Sequence, residues 1–531
     1  MSIKTLRKFS FLCFLFIPLA SGCHQFKLAT LQKELRIGMS YDPVSLDPRA
    51  TYLKKDISIA KVLYEGISRE KLSSGEVILG IADSYTLDES ECTYTFRLKN
   101  TFWSNGDPLT AHDFEASIKQ IYSKELSISQ HNLLHTIKNS KRVLEGEPIE
   151  ILGVRAIEDY ILEIQLENPI DNFLEILSHP LFFPVHKSLR ERYCNSEKQT
   201  IYISNGPFII REYLPQKHLI VEKNPYYHSE EKVKLQSIIF KIVSDPHTAV
   251  KLFKNNLIDI LGNPWISTIP KEIFLHASEK ERHIYPVCAT SLLIYNLHTS
   301  ALANKALRKA ISYSIDKEAL ISLVNVGRIA RSFIPPELSK LTPNHLTMTQ
   351  QEREHKARQY FKEAMTTLSP EQISELVIIY PFESTAVSLV VQEIQQQIKR
   401  VLGIHIPIQG TEYFCFLEKR KQGDFYISMG GWIAEYLDAK NFLSTIGSPT
   451  VSEGYRLSKW EHPVYNDLIK KYSSNSFSVE DQIYAEELIQ EESPIFPLYH
   501  YNYAYIARPG ITNIYASPLG HIDLRGVEIV N

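Results

Sequence analysis

Eighteen histidines, six cysteines and a few paired acids are the residues of this 531-residue chain with the chemistry to make or break bonds. Their spacing assembles no known catalytic motif. There is no G-x-S-x-G elbow, no H-E-x-x-H pair and no phosphate-binding glycine loop. No C-x-x-C occurs, which removes the pattern of zinc ribbons and thioredoxin-like redox sites. His112, His186, His247 and His405 sit beside strand or helix edges, where a hydrogen-bonded structural role is the ordinary one. Asp88–Glu89 and Glu491–Glu492 read as solvated faces or caps. The absence of these motifs does not exclude an enzyme but shifts the expectation toward a binding module, with no catalytic residue, metal or cofactor.

The N-terminus carries a further cysteine chemistry. A basic start, Met1 to Lys8, precedes an almost wholly apolar run from Phe9 to Ala20, then Ser21-Gly22 and Cys23. This is a secretory signal ending at small residues. It resembles a bacterial lipoprotein signal, in which the cysteine is lipidated, although Ala20 stands where that motif prefers leucine. The resemblance implies a periplasmic or cell-envelope protein held to a membrane through lipid on Cys23. The apolar run is too short to span a bilayer, which takes about 20 residues. Cys13 would leave with the signal. Cys92, Cys194, Cys288 and Cys415 are too scattered for spacing to say whether they pair or stay as buried thiols.

The elements around these residues alternate between strand and helix. Leu35 to Met39, Tyr94 to Leu98, Tyr160 to Leu166 and Leu235 to Val243 show strand periodicity. Thr110-x-x-Asp113 is a capping box ahead of a helix bearing Phe114, Ile118 and Ile121. Asp316 reads as an N-cap, and Val387 to Leu402 forms an apolar helical stripe closed by Gly403. Ile404, Ile406 and Ile408 then alternate as a strand would. Length calls for two or three domains. A formal charge of −3 without a basic block argues against nucleic acid.

Seven segments, in order, resemble the extracellular solute-binding proteins of peptide ABC importers. They are Pro43-Val44-Ser45-Leu46-Asp47-Pro48, Tyr64-Glu65-Gly66-Ile67, Trp103 to Phe114, Asn205-Gly206-Pro207-Phe208 with Glu222 to Tyr227, Asn304 to Leu320, Gly430 to Tyr436, and Pro494 to Tyr499. The resemblance implies an α/β, two-lobed periplasmic binding protein fold of the large class II type. Residues 1–22 would be the signal and 23–33 the spacer. Lobe I would combine 34–62, 186–288 and 500–531, the additional domain would be 63–185, and lobe II 289–499. The hinge would have two crossings, near Tyr285-Pro286 and within Tyr499 to Tyr505.

For the site, the resemblance implies that Glu435 receives the ligand's α-ammonium and that Trp432 packs beside the ligand. Gly430 and Gly431 would admit its main chain. Tyr52 would line the opposite wall. Met429 stands where the oligopeptide binder resembled most has an arginine, so recognition of a ligand carboxylate at that position is not carried over. The partners implied are a peptide, a permease and its ATPase subunits, around a monomer. Receptors for murein peptide, dipeptide, nickel-chelate, haem or oligosaccharide share the fold class, with His405 and His500 as candidates for a metal complex. From another class, an exported lipid-anchored hydrolase of cell-wall peptides stays open.

Overall fold

The computed structural model describes residues 33–530 apart from 52, 73, 124–131, 195–201, 267–268, 325, 342–347, 448–456, 459 and 472–475. Cys23, Tyr52, the signal segment 1–22 and the side chain of Cys194 thus lie outside the described residues. An eleven-stranded mixed sheet runs through the protein. Its spatial order begins Phe208–Leu214, His218–Lys223, Ser237–Ile242, Glu34–Met39 and Ile260–Gly262. Two long antiparallel strands follow, Ile495–Ala507 and then Arg282–Tyr295. Beyond them lie Ile427–Ile433, Ile378–Pro381 and Ile408–Thr411, while Gly327–Ile329 pairs with the strand Ile495–Ala507.

The two long strands pair from Arg282↔Ile506 to Ile294↔Ile495, but the register shifts between Pro286 and Thr290. Proline has no amide hydrogen to donate to a ladder. Cys288 instead donates to Pro518 O, outside the sheet. Past the break the strand is buried on both faces: Leu293 and Tyr295 enter one apolar cluster, Leu292 and Ile294 another. This alternation is the period-two geometry of a strand covered by helices on each side. One cover includes the helix Thr385–Leu402, which carries Val391, Ile394 and Ile398. The other includes Ala439–Leu443 and Val479–Glu492.

A four-stranded antiparallel sheet, ordered Ala82–Asp88, Thr93–Leu98, Ile161–Gln165 and Val154–Glu158, shares a core with the first strands of the large sheet. Phe96 and Phe114 belong to the same cluster as Leu35, Phe240 and Trp265. Local signals behave as read. The Thr110–Asp113 capping box forms, Asp316 caps its helix by accepting from Glu318 N, and Gly403 closes Thr385–Leu402 at φ +75°. One difference concerns residues 404–407, which are not strand; the strand starts at Ile408. Pro407 interrupts donation along that stretch while its carbonyl accepts from Ile378 N at 2.9 Å.

Candidate functional site

The strand Ile427–Ile433 positions the sequence-predicted residues. It pairs along its whole length with Tyr295 to Ala289. On its other edge it pairs with Ile378–Pro381 only through Ile427 and Ser428. Ala434 N donates to Cys288 O on the first side, and Ile427 N donates to Val377 O on the second. Main-chain groups alternate sides along an antiparallel strand. Met429, Gly431 and Ile433 therefore point their N–H and C=O groups the same way as Ile427, past the point where Ile378–Pro381 diverges. Among the described residues no strand pairs with them there.

That edge borders a cavity of about 890 Å³. Met429, Gly430, Gly431, Trp432 and Glu435 all line it. Tyr41, Leu53, Lys54, His179, Phe416 and Arg420 line it from earlier in the chain, and Tyr501 and Tyr503 from later. The two glycines have a reason inside the protein. A Cβ on Gly430 would stand 2.8 Å from Ile294 Cδ1 and 3.0 Å from an Arg420 guanidinium nitrogen. On Gly431 it would stand 2.9 Å from Thr290 O. Their smallness serves close packing of strand and side chain, in addition to any approach by a ligand.

Asn441 fixes the geometry of the tryptophan segment. Its Oδ1 accepts from Trp432 Nε1 at 2.9 Å and from Glu435 N at 3.0 Å, and the residue is fully buried. Trp432 also packs on the cluster around Phe442 and Trp460. The segment after it touches residues from the early part of the chain. Lys54 Nζ donates to Ala434 O at 3.2 Å, Leu437 N donates to Glu175 Oε1, and Tyr436 packs on the cluster of Leu35 and Phe96. Burial pulls the Lys54 ammonium down to about 8, against the opposing pull of Glu435. Burial pushes the Glu175 carboxyl up to about 7, only partly offset by the Leu437 amide.

Sequence reasoning missed Lys54, Arg420, Asn441 and the pair Tyr501 and Tyr503. The tyrosines had a signal: Tyr499, Tyr501, Tyr503 and Tyr505 repeat every second residue. The other three had none, because each reaches the site from a separate element. The histidines do other work. His500 is buried, with Thr290 Oγ1 at 2.9 Å from its Nδ1, and burial lowers it to about 4. His405 is exposed, and neither residue lines the cavity. Among the described residues no three His, Cys, Asp or Glu side chains cluster to hold a metal. Cys92, Cys288 and Cys415 are free thiols.

The chain belongs to the bacterial extracellular solute-binding proteins, family 5: the model of that family's middle region matches residues 76–454. It is 24% identical to the oligopeptide-binding protein OppA of Bacillus subtilis over 504 residues, 92% of each chain. It is 25% identical to the periplasmic murein peptide-binding protein MppA of Escherichia coli, over 90% of this chain and 89% of that one. The solved structure of E. coli MppA matches with a TM-score of 0.81 at 24% identity, covering 94% of this chain and 98% of that chain. Haemophilus influenzae OppA in complex with a peptide matches at 0.80 and 21% identity, covering 94% and 99%. The mixed α/β architecture is thus that of periplasmic binding proteins. The B. subtilis relative is named as an oligopeptide-binding protein, and the E. coli relative as a periplasmic murein peptide-binding protein.

Proposed function

We propose that this chain captures extended oligopeptides and presents them to a membrane ABC permease, whose partner subunits hydrolyse the ATP. The observation that carries the reading is the open strand edge at Met429, Gly431 and Ile433, facing a cavity that Glu435 also lines. A peptide entering the cavity must exchange water for new partners at each N–H and C=O, or lose the cost of burying them bare. An open edge supplies those partners by strand addition, without regard to side chains. Glu435 then receives the α-ammonium, in a cavity that Arg420 also lines. The relatives named for oligopeptide and murein peptide support a peptide as the ligand class.

Closure is proposed to occur between lobe I (34–62, 186–288 and 500–531, with the additional domain 63–185) and lobe II (289–499). The pairing break after Pro286 and the separate apolar clusters on either side of it support a hinge there. Closure around ligand shifts the population toward the form the permease reads. Lipid on Cys23 would hold the protein beside that permease. Mass spectrometry of material released from natively purified protein tests the ligand class: peptides with free amines are the expected result. A non-peptide ligand, or peptides cleaved on incubation, would contradict it.

A further inference from the structure

A second cavity, of about 390 Å³, adjoins the first. Asn263 lines both. The helix Thr385–Leu402 also borders both, with Val387 in the wall of the large cavity and Leu389 in the wall of the small one. Ile269 and Phe274 close the small cavity from the segment that follows Asn263, and Val324 and Val326 from the turn after the helix Lys317–Leu323. A volume of this size falls at the lower end of the range of ligand sites, about 300–1,000 Å³.

The open strand edge leads toward it. A peptide whose α-ammonium meets Glu435 lies against Ile433 first and Met429 last, antiparallel to the strand Ile427–Ile433. At Ser428 and Ile427 the edge is taken by Ile378–Pro381, so a longer ligand must leave the edge there. Pro381, the end of that strand, lines the large cavity, and the helix that follows it borders the small one. An extended ligand advances at the rise of the strand it pairs with, so about five of its residues fill the stretch from Ile433 to Met429. Those that follow come to the border at Asn263.

The small cavity would receive an apolar group there. Leu389 is 43% exposed, Val324 and Val326 are half-buried, and Ile269 and Phe274 are buried beside them. An apolar side chain seated among these residues takes hydrocarbon surface out of water on both partners. Among the described residues lining the cavity, Lys271 alone is charged; it is exposed, and its amine donates to Ser322 O at 3.5 Å. A polar ligand side chain placed between Leu389 and Phe274 would lose water and find no enclosed partner.

We infer that the small cavity is a subsite for an apolar side chain at about the fifth or sixth residue of the bound peptide, and that it makes the chain select ligands longer than the open edge. The inference rests on the peptide-binding reading given above and names the ligand's length and the character of its far end.

Calorimetric titration of the full chain with eight-residue, free-amine peptides of alanine and serine tests this, with a single leucine at position four, five, six or seven and a leucine-free control. Leucine at one of these positions should tighten binding about tenfold over the control, while leucine at the others changes it little. Leu389→Asp should bring that gain within about threefold and leave the affinity for the control peptide unchanged, which shows that the variant is folded. Leu389→Met should keep the gain. No response at any position in the wild type, an equal response at all four, or a gain undiminished in Leu389→Asp overturns the subsite and leaves peptide binding standing. Failure of every peptide to bind overturns both.

Discussion

At the scale of single residues, the site is a set of charges held at fixed places by neutral neighbours. Glu435 faces the cavity because Asn441 grips its amide and the Trp432 ring at once. A charge-assisted hydrogen bond from a ligand ammonium contributes about 1.5–3 kcal/mol. Glu435→Gln should therefore weaken binding of free-amine peptides by roughly tenfold to a hundredfold, with the melting temperature unchanged. Calorimetry with each peptide and its N-acetylated form checks this, because the variant should lose the discrimination between them. Met429 is buried and takes no part in charge recognition. Arg420, from the helix Tyr413–Gln422, also lines the cavity.

At the scale of elements, the segment Ala434–Asp438 is the piece that ties the tryptophan strand to the early part of the chain. Leu437 N donates to Glu175, which belongs to the short helix Phe173–Leu177. The Glu175 carboxyl is raised from 4.5 to about 7, chiefly by burial. An acid whose folded value is raised weakens the fold as it ionises. The penalty is absent below about 4.5, grows as pH rises, and is complete above about 7. Glu175→Gln should then melt above wild type at pH 8, by an amount worth up to about 3 kcal/mol, and match it at pH 4. Thermal melts of both proteins across that range decide it; a gap that is constant with pH would contradict the assignment. Legibility followed the same division. The capping box at Thr110, the Gly403 stop and the segment Gly430 to Glu435 are contiguous, so neighbouring residues disclose them. Lys54, Glu175, Arg420 and Asn441 meet only through tertiary packing, and no local pattern marks any of them. The stretch 404–407 alternates like a strand, but Pro407 prevents a ladder there.

For the whole molecule, a buried ionic cluster fastens the segment from Ser517 to Arg525 to the segment from Lys61 to Glu70. Glu70 contacts His521 at 2.6 Å and Lys61 at 3.3 Å, and accepts from Ser517 Oγ at 2.7 Å. Glu65 contacts His228 at 2.7 Å, Arg69 at 2.9 Å and Arg525 at 3.5 Å. Burial pushes both carboxyls up, but these partners outweigh it and hold both well below the usual carboxylate range. Depressed carboxyl values stabilise the fold above about 4.5, and that stabilisation is lost as pH falls below it. Melting should fall progressively as pH drops below about 4.5 and go on falling below pH 3, and Glu70→Gln should make that fall shallower while lowering stability at neutral pH. The same fold places one strand edge and a cavity side by side, and that juxtaposition is the basis of the proposed function. Its most direct test is a main-chain N-methyl scan of a bound peptide by calorimetry. Methylation at alternate positions should cost at least about tenfold in affinity, while side-chain changes along the paired stretch cost little. Equal binding by every N-methylated peptide, or loss that tracks side-chain identity alone, would contradict recognition through the edge at Met429, Gly431 and Ile433.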